Sequence, residues 1–212
     1  MNIVLTSVDA GLAEAWARFC GDLDCVTVHH GSIFDIACDA VVSPANSFGF
    51  MDGGIDLLYT QHFGWHVQDR VQEAIRAEHH GELLVGAAEI VEMGDALLPF
   101  LIAAPTMRVP TILPGDTVSP YLAARAALLL IKHGTFTQGT HAGEKVADYV
   151  GTVAFPGLGT GVGRVGPNTC ARQMRAAIDA VVLGRETFPV SWADAQHRHQ
   201  GLYTSQFRDL QK

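Results

Sequence analysis

The sequence contains no apolar stretch of the ~20 residues that a membrane-spanning helix needs. Its longest apolar run lies around residues 121–131 and is interrupted by Arg125. The first residues carry neither the basic segment nor the apolar segment of a cleavable signal peptide. We therefore expect a soluble, cytoplasmic protein that has no membrane partner.

Cysteine is scarce, and its spacing gives no sign of redox chemistry. The four cysteines are Cys20, Cys25, Cys38 and Cys170, and no two of them form a C-x-x-C pair. The sequence therefore predicts reduced thiols that are mostly buried.

Positive charge is in deficit. The chain has 14 Lys and Arg residues against 22 Asp and Glu residues, which gives a net charge of −8. This balance argues against direct binding of a nucleic-acid backbone. It does not exclude a nucleotide ligand, because backbone N–H groups bind a diphosphate without any Lys or Arg.

A metal site is not expected either. His62 and His66 have the i, i+4 spacing that places two metal ligands on one helix face. The glutamate of the H-E-x-x-H motif is absent, however, and Gly64 weakens the helix between the two histidines. We interpret both as surface histidines and predict no metal and no cofactor.

What is present is a chain suited to one globular domain. It has 212 residues, of which 48% are hydrophobic and 17% charged. Apolar periodicity predicts strands and helices in alternation, which is typical of a layered α/β fold. The predicted strands are 2–7, 25–29, 39–43, 83–91, 100–104 and 150–155, and the predicted helices are 10–20, 55–78 with a break near Gly64, 120–133 and 168–182. We predict a single domain over residues 1–190, with residues 191–212 as a polar C-terminal tail or surface extension.

The first of two glycine-rich loops follows the predicted strand 39–43. It reads SPANSFGFMDGGID over residues 43–56. Gly53 and Gly54 stand at the start of a predicted helix, where free N–H groups and the helix dipole favour an anion. The amide of Asn46 can bond to sugar hydroxyls, and Asp56 lies in the first helical turn. Phe48, Phe50 and Met51 are expected either to shield a ligand or to pack the loop against the domain.

The second glycine-rich loop follows the predicted strand 150–155. It reads FPGLGTGVG over residues 155–163, with glycine at alternate positions. Such a run lets several backbone amides turn toward a phosphate without Cβ clashes. Neither loop has the Walker pattern, and neither fits a Rossmann fingerprint. If the two strands are parallel, both loops lie at the same edge of the sheet, where ligands bind in α/β folds.

The order and spacing of these motifs resemble the macrodomain family, which binds ADP-ribose. Residues 39–46, DAVVSPAN, resemble its D-A-I-V-N-A-A-N, and residues 52–56, DGGID, resemble its G-G-G-V-D. Residues 156–162, PGLGTGV, resemble its P-x-I-S-T-G-V loop, and residues 86–88 and 103–105 match two further short motifs. The resemblance covers roughly residues 25–183. It implies a three-layer α/β/α fold with a mixed, mostly parallel central sheet.

The resemblance also implies a set of site residues. In the hydrolytic macrodomains, an asparagine and an aspartate stand where this chain has Asn46 and Asp56. By that resemblance Asn46 orients the distal ribose, and Asp56 positions or activates a water for attack at the anomeric carbon. The implied ligand-binding residues are Ser32, Ile33, Ala45, Gly53, Gly54, Ile55, Gly157, Gly159, Thr160, Gly161, Val162 and Gly163.

The sequence departs from the family pattern at two places. The family's G-D-I, whose aspartate contacts the adenine amino group, is Gly31-Ser32-Ile33 here, and Asp35 is a candidate substitute. The aromatic residue that usually follows the second loop is replaced by Gly163 and Arg164. Arg164 is expected either to pair with the diphosphate or to be solvated.

Two functions remain open at this point. One is an enzyme that binds ADP-ribose and hydrolyses ADP-ribosyl linkages, acting on a mono-ADP-ribosylated macromolecule or on O-acetyl-ADP-ribose. The other is a non-catalytic module that binds or sequesters ADP-ribose or a related nucleotide. It is equally open whether the predicted strand and helix over residues 2–20 are native parts of the fold or an edge addition.

Overall fold

A six-stranded sheet covered by helices on both faces forms the body of the protein. The computed structural model describes residues 1–209. The strands are β1 (Asn2–Ser7), β2 (Val26–His30), β3 (Ala40–Ser43), β4 (Glu89–Glu92), β5 (Phe100–Ala103) and β6 (Thr152–Phe155). The helices are α1 (Ala10–Cys20), α2 (Gly54–Phe63), α3 (His66–Glu78), α4 (Ser119–His133), α5 (Pro167–Val181) and α6 (Trp192–Gly201).

The strand order in the sheet is β2-β1-β6-β3-β5-β4. The first five strands of this order run parallel to one another, and β4 alone is antiparallel to its neighbour β5. The prediction of a mixed, mostly parallel sheet is confirmed. Because the five strands are parallel, the loops that follow them all leave from the same edge of the sheet.

The N-terminal strand lies inside the sheet. Leu5 of β1 pairs with Val28 of β2 on one side and with Phe155 of β6 on the other. The pairing begins at the first residues, since Asn2 N donates to Gly151 O at 2.7 Å. Residues 2–20 are therefore integral to the fold and not an edge addition.

Alternate residues of each strand face opposite layers of helices. Val42 and Ile102 pack in a core with apolar side chains of α1, α4 and α5. Their neighbours Val41 and Leu101 pack in a second core with side chains of α2 and α3. This period of two is the geometry of a strand that is buried on both faces. The three-layer α/β/α arrangement is confirmed.

One predicted helix is divided and one predicted strand is shorter, whereas the other predicted elements agree with the structure to within two residues at each end. The helix predicted over 55–78 is divided at Gly64, whose φ of +102° ends α2. The strand predicted over 83–91 begins only at Glu89, because the chain turns at Gly86 with a φ of +100°. The break near Gly64 agrees with the prediction, whereas the predicted strand was wrong over residues 83–88.

The C-terminal segment contains a helix that periodicity did not reveal. Helix α6 begins after Ser191, whose hydroxyl accepts from Asp194 N at 3.1 Å. Residues 210–212, at the end of the predicted tail, lie outside the described residues, and the division at residue 190 stays a prediction. Within residues 1–209, no helix has the length and apolarity needed to span a bilayer.

Candidate functional site

A cleft of about 640 Å³ opens at the carboxyl edge of the five parallel strands. Its walls come from the loops after β1, β2, β3, β5 and β6, so every parallel strand contributes to it. All fourteen predicted site residues line this cleft. They are Ser32, Ile33, Ala45, Asn46, Gly53, Gly54, Ile55, Asp56, Gly157, Gly159, Thr160, Gly161, Val162 and Gly163.

The first loop is held in shape by its own asparagine. Asn46 Oδ1 accepts from Phe48 N at 3.1 Å and from Phe50 N at 3.3 Å, while Asn46 Nδ2 donates to Phe50 O at 2.8 Å. Thr106 Oγ1 donates to Pro44 O at 3.0 Å and ties this loop to the one after β5. The half-buried Asn46 side chain thus lies in the cleft wall with its bonds directed back into the loop.

Three apolar residues of the first loop have three different environments. Met51 is buried, and the Arg108 guanidinium lies 5.0 Å from the centre of the Phe48 ring. Phe50 is 56% exposed and lines the cleft. Met51 therefore packs the loop against the domain, and Phe50 is the ring available to a ligand.

Both glycine-rich loops present backbone amides to the cleft. Gly54, Ile55 and Asp56 are the first residues of α2, where N–H groups have no acceptor within the helix. In the described chain, the N–H groups of 161–163 likewise donate to no protein acceptor. Since β3 and β6 are adjacent parallel strands, the two loops that carry these amides begin at neighbouring strand ends. This arrangement suits an anion such as a diphosphate.

Glycine is required at some positions of the second loop and not at others. A Cβ at Gly163 would lie 2.5 Å from Gly159 O, so a side chain there collides with backbone. A Cβ at Gly161 would meet no atom within 4 Å. The space beside Gly161 is open and belongs to the cleft.

Asp56 is a buried carboxyl group in the cleft wall. Asp56 is 7% exposed, and Ser43 Oγ donates to Asp56 Oδ1 at 2.6 Å. Burial raises the pKa of Asp56 from 3.8 to about 7, although the Ser43 hydrogen bond acts in the opposite direction. A carboxyl group with this pKa exchanges a proton near neutral pH, as a general base must.

In the described chain, the cleft lining contains acidic side chains but no basic ones. The acidic lining residues are Asp9, Asp52 and Asp56, and no Lys, Arg or His belongs to the lining within residues 1–209. Arg164 is exposed and lies outside the lining. An anionic ligand would therefore depend on backbone amides and not on side-chain cations.

No candidate metal centre accompanies the cleft. The described chain contains no group of three or more His, Cys, Asp or Glu residues placed to hold a metal ion. His62 stacks on Phe34 with ring centroids 4.4 Å apart, and His66 Nε2 lies 2.9 Å from Met93 O.

Two walls of the cleft were missed by sequence reasoning. Thr6, Ser7, Val8 and Asp9 follow β1, and Thr106, Met107 and Pro110 follow β5. Neither segment is rich in glycine or resembles a family motif. The signal that was present is their position after a predicted strand, since every strand end of a parallel sheet borders the ligand edge.

Comparison with known proteins agrees with this geometry. The family profile described as Macro domain matches residues 42–174, more than half of the chain. An uncharacterized protein of Aquifex aeolicus is 32% identical over 149 residues, which cover 70% of this chain and 78% of that protein.

Solved macrodomain structures share the fold at lower identity. A mutant of the Oceanobacillus iheyensis macrodomain with ADPR superposes with a TM-score of 0.57 at 19% identity, covering 82% of this chain and 86% of that chain. The macrodomain of Mycobacterium tuberculosis DarG gives a TM-score of 0.56 at 18% identity, covering 71% and 87%. Together with the profile match, these findings establish that the chain belongs to the macrodomain family.

Proposed function

We propose that the protein binds ADP-ribose in the cleft and hydrolyses ADP-ribosyl linkages. The diphosphate lies between the amides at the start of α2 and those of residues 161–163. The distal ribose then lies beside Asn46 and Asp56, and the substrate is a mono-ADP-ribosylated macromolecule or O-acetyl-ADP-ribose. Family membership and the ADPR bound to the Oceanobacillus iheyensis macrodomain support the choice of ligand.

One observation carries the catalytic part of this proposal. Asp56 is buried in the cleft wall beside the amides that suit a diphosphate, and its pKa is raised to about 7. As a carboxylate, it accepts a proton from a water whose oxygen attacks the anomeric carbon of the distal ribose. The bond from that carbon to the leaving oxygen or nitrogen breaks, and the leaving group takes up a proton. Asn46 orients the ribose for this attack.

A second candidate is a binding module without catalysis. The specific observation in its favour is that the Asn46 amide already bonds to its own loop, at Phe48 and Phe50. In that case Asn46 and Asp56 shape the cleft, and the protein reads or sequesters ADP-ribose. Both the hydrolase and the binding module are proposed to be cytoplasmic and to have an ADP-ribosylated macromolecule as their partner.

Binding is tested by titration calorimetry of the full chain with ADP-ribose, with AMP and NAD as controls. We expect micromolar affinity for ADP-ribose and little for AMP, because AMP lacks the diphosphate and the distal ribose. The absence of ADP-ribose binding would contradict both candidate functions.

Turnover separates the two candidates. Release of ADP-ribose from a mono-ADP-ribosylated protein, or loss of O-acetyl-ADP-ribose, is measured for the wild-type protein and for Asp56→Ala. The hydrolase predicts that Asp56→Ala abolishes turnover and leaves ADP-ribose binding largely intact. Full turnover in Asp56→Ala would remove Asp56 from the mechanism, and binding without any turnover in the wild-type protein would favour the binding module.

A further inference from the structure

The first glycine-rich loop is held between two other segments of the chain. Ser47 N donates to Arg108 O at 3.1 Å in the loop after β5, and Leu83 N donates to Ser47 O at 2.9 Å from the segment before β4. Ser47 is 1% exposed, and both polar groups of its backbone are bonded in this way. The two flanking segments therefore fix the path of the loop immediately after Asn46.

The side chain of Arg108 joins these two segments across Phe48. Arg108 Nε donates to Glu82 Oε1 at 2.6 Å, and Arg108 Nη2 donates to Glu82 Oε2 at 3.2 Å. The same guanidinium lies 5.0 Å from the centre of the half-buried Phe48 ring. A planar guanidinium suits both contacts, since it pairs with a carboxylate through two N–H groups and stacks on an aromatic face. We call this arrangement of Arg108, Glu82 and Phe48 the Phe48 clamp.

The backbone of Phe48 in turn fixes the amide of Asn46. Asn46 Oδ1 accepts from Phe48 N at 3.1 Å and from Phe50 N at 3.3 Å, which occupies both of its lone pairs. Asn46 Nδ2 donates one of its two N–H groups to Phe50 O at 2.8 Å. Within residues 1–209, the second N–H has no acceptor. Asn46 thus offers a ligand one donor in a fixed orientation, and that orientation depends on the position of Phe48 N.

We infer that Arg108 is a positioning residue for the distal ribose, because the Phe48 clamp fixes the Asn46 N–H that donates to a ribose hydroxyl. This inference rests on the proposed function, which places the distal ribose beside Asn46. Arg108 lies outside the cleft lining and acts only through Phe48 and Asn46. The bonds of Asn46 to its own loop are then compatible with ribose binding, since one N–H remains.

ADP distinguishes this role from a general effect on the cleft. It carries the base, the proximal ribose and the diphosphate of ADP-ribose and lacks the distal ribose. A residue that acts through Asn46 on the distal ribose affects ADP-ribose binding and spares ADP binding. A residue that only supports the fold of the cleft affects both ligands.

The test is titration calorimetry of the full chain with ADP-ribose and with ADP. We expect Arg108→Gln to lower ADP-ribose affinity by about fivefold, the size of one neutral hydrogen bond, and to leave ADP affinity nearly unchanged. In an Asn46→Ala background, Arg108→Gln should cause no further loss, because the group through which Arg108 acts has been removed.

Arg76→Gln is the matched control for the removal of one positive charge. Arg76 is exposed on α3, where Nη2 donates to Gln72 Oε1 at 3.2 Å, and it lies outside the cleft lining. Arg76→Gln should therefore leave the affinities for both ligands nearly unchanged.

An unchanged ADP-ribose affinity in Arg108→Gln, or equal losses for ADP and ADP-ribose, would overturn the positioning role while leaving the proposed function intact. A further loss in the Asn46→Ala background would show that Arg108 acts independently of Asn46, which also contradicts the inference. If the wild-type protein did not bind ADP-ribose, the proposed function and this inference would both be wrong.

Discussion

Asp56 combines burial with a cleft position, and its burial has a cost in stability. Its pKa rises from 3.8 to about 7 in the folded protein, so between these values the folded state retains a proton that the unfolded state has lost. The contribution of Asp56 to the free energy of unfolding therefore falls as the pH rises from about 4 to about 7.

This pH dependence predicts the behaviour of Asp56→Asn. The amide has a similar shape and does not ionise, so the variant should be more stable than the wild-type protein at pH 8 by about 2 to 4 kcal/mol. At pH 4 the two proteins should differ far less. Urea unfolding at several pH values measures both, and parallel stability profiles would contradict a raised pKa for Asp56.

Ser43 tunes the same carboxyl group. Its hydroxyl donates to Asp56 Oδ1 and stabilises the carboxylate, so Ser43→Ala should raise the pKa of Asp56 further, by about one pH unit. The ¹³C resonance of the Asp56 carboxyl group reports the midpoint directly. If the protein is a hydrolase, the acidic limb of its pH–rate profile should move to higher pH by the same amount. A midpoint unchanged from that of the wild-type protein would show that the hydrogen bond has little electrostatic effect.

At the scale of elements, the role of the second glycine-rich loop in ligand binding can be tested by substituting a single glycine. Gly161→Glu places a side chain in open space, at a residue without a left-handed φ, so the fold should be preserved. The added carboxylate lies beside amides that have no protein acceptor and should reduce ADP-ribose affinity by at least about a hundredfold through repulsion and occlusion.

Gly166→Glu provides the matched control for this substitution. A Cβ at Gly166 also meets no atom within 4 Å, but the residue lies outside the cleft lining, at the start of α5. Titration calorimetry with ADP-ribose should show nearly unchanged affinity for Gly166→Glu. Equal affinities in the two variants would mean that the ligand does not use the second loop.

Elements are also the scale at which the sequence was most informative. Helix α1 and strand β1 have the bounds that apolar spacing predicted, and glycines marked both loops. Helix α6 escaped prediction because its residues are mostly polar, with Gln196 and Gln200 as the buried ones. The hydrogen bond between Ser43 and Asp56 was equally inaccessible, since it joins a strand end to the helix after the loop.

The order of the strands in the sheet is the part of the fold that the sequence did not predict. Local periodicity identifies strands, but it does not say which strands are neighbours. The contribution of Asp9 to the cleft depends on β1 lying between β2 and β6, a pairing of residues about 150 positions apart. A family resemblance that begins near residue 25 carries no information about this part of the site.

At the scale of the whole molecule, the charge distribution predicts an unusual response to salt. The chain has a net charge of −8, and the cleft lining within residues 1–209 carries Asp but no cation. Raising NaCl from about 50 to about 500 mM should therefore change ADP-ribose affinity by less than roughly threefold, because no Lys or Arg contact is screened.

A designed cation should create the missing salt dependence. Val162 is 57% exposed and lines the cleft, so Val162→Lys adds a positive charge beside the second loop. Calorimetry should show tighter binding of ADP-ribose at low salt and a steeper loss of affinity as salt is raised. A steep loss in the wild-type protein would instead reveal a cation that contacts the ligand.

The position of β6 between β1 and β3 also determines when the sheet can be completed during synthesis. During synthesis, β1 and β2 leave the ribosome first, followed by β3, β4 and β5, whereas β6 comes only at residues 152–155. Because β6 lies between β1 and β3, the strands made before it cannot join into one sheet until it has been made. The glycine-rich loop after β6 emerges later still. The complete cleft can therefore form only late in translation, and a chain truncated before β6 would lack it.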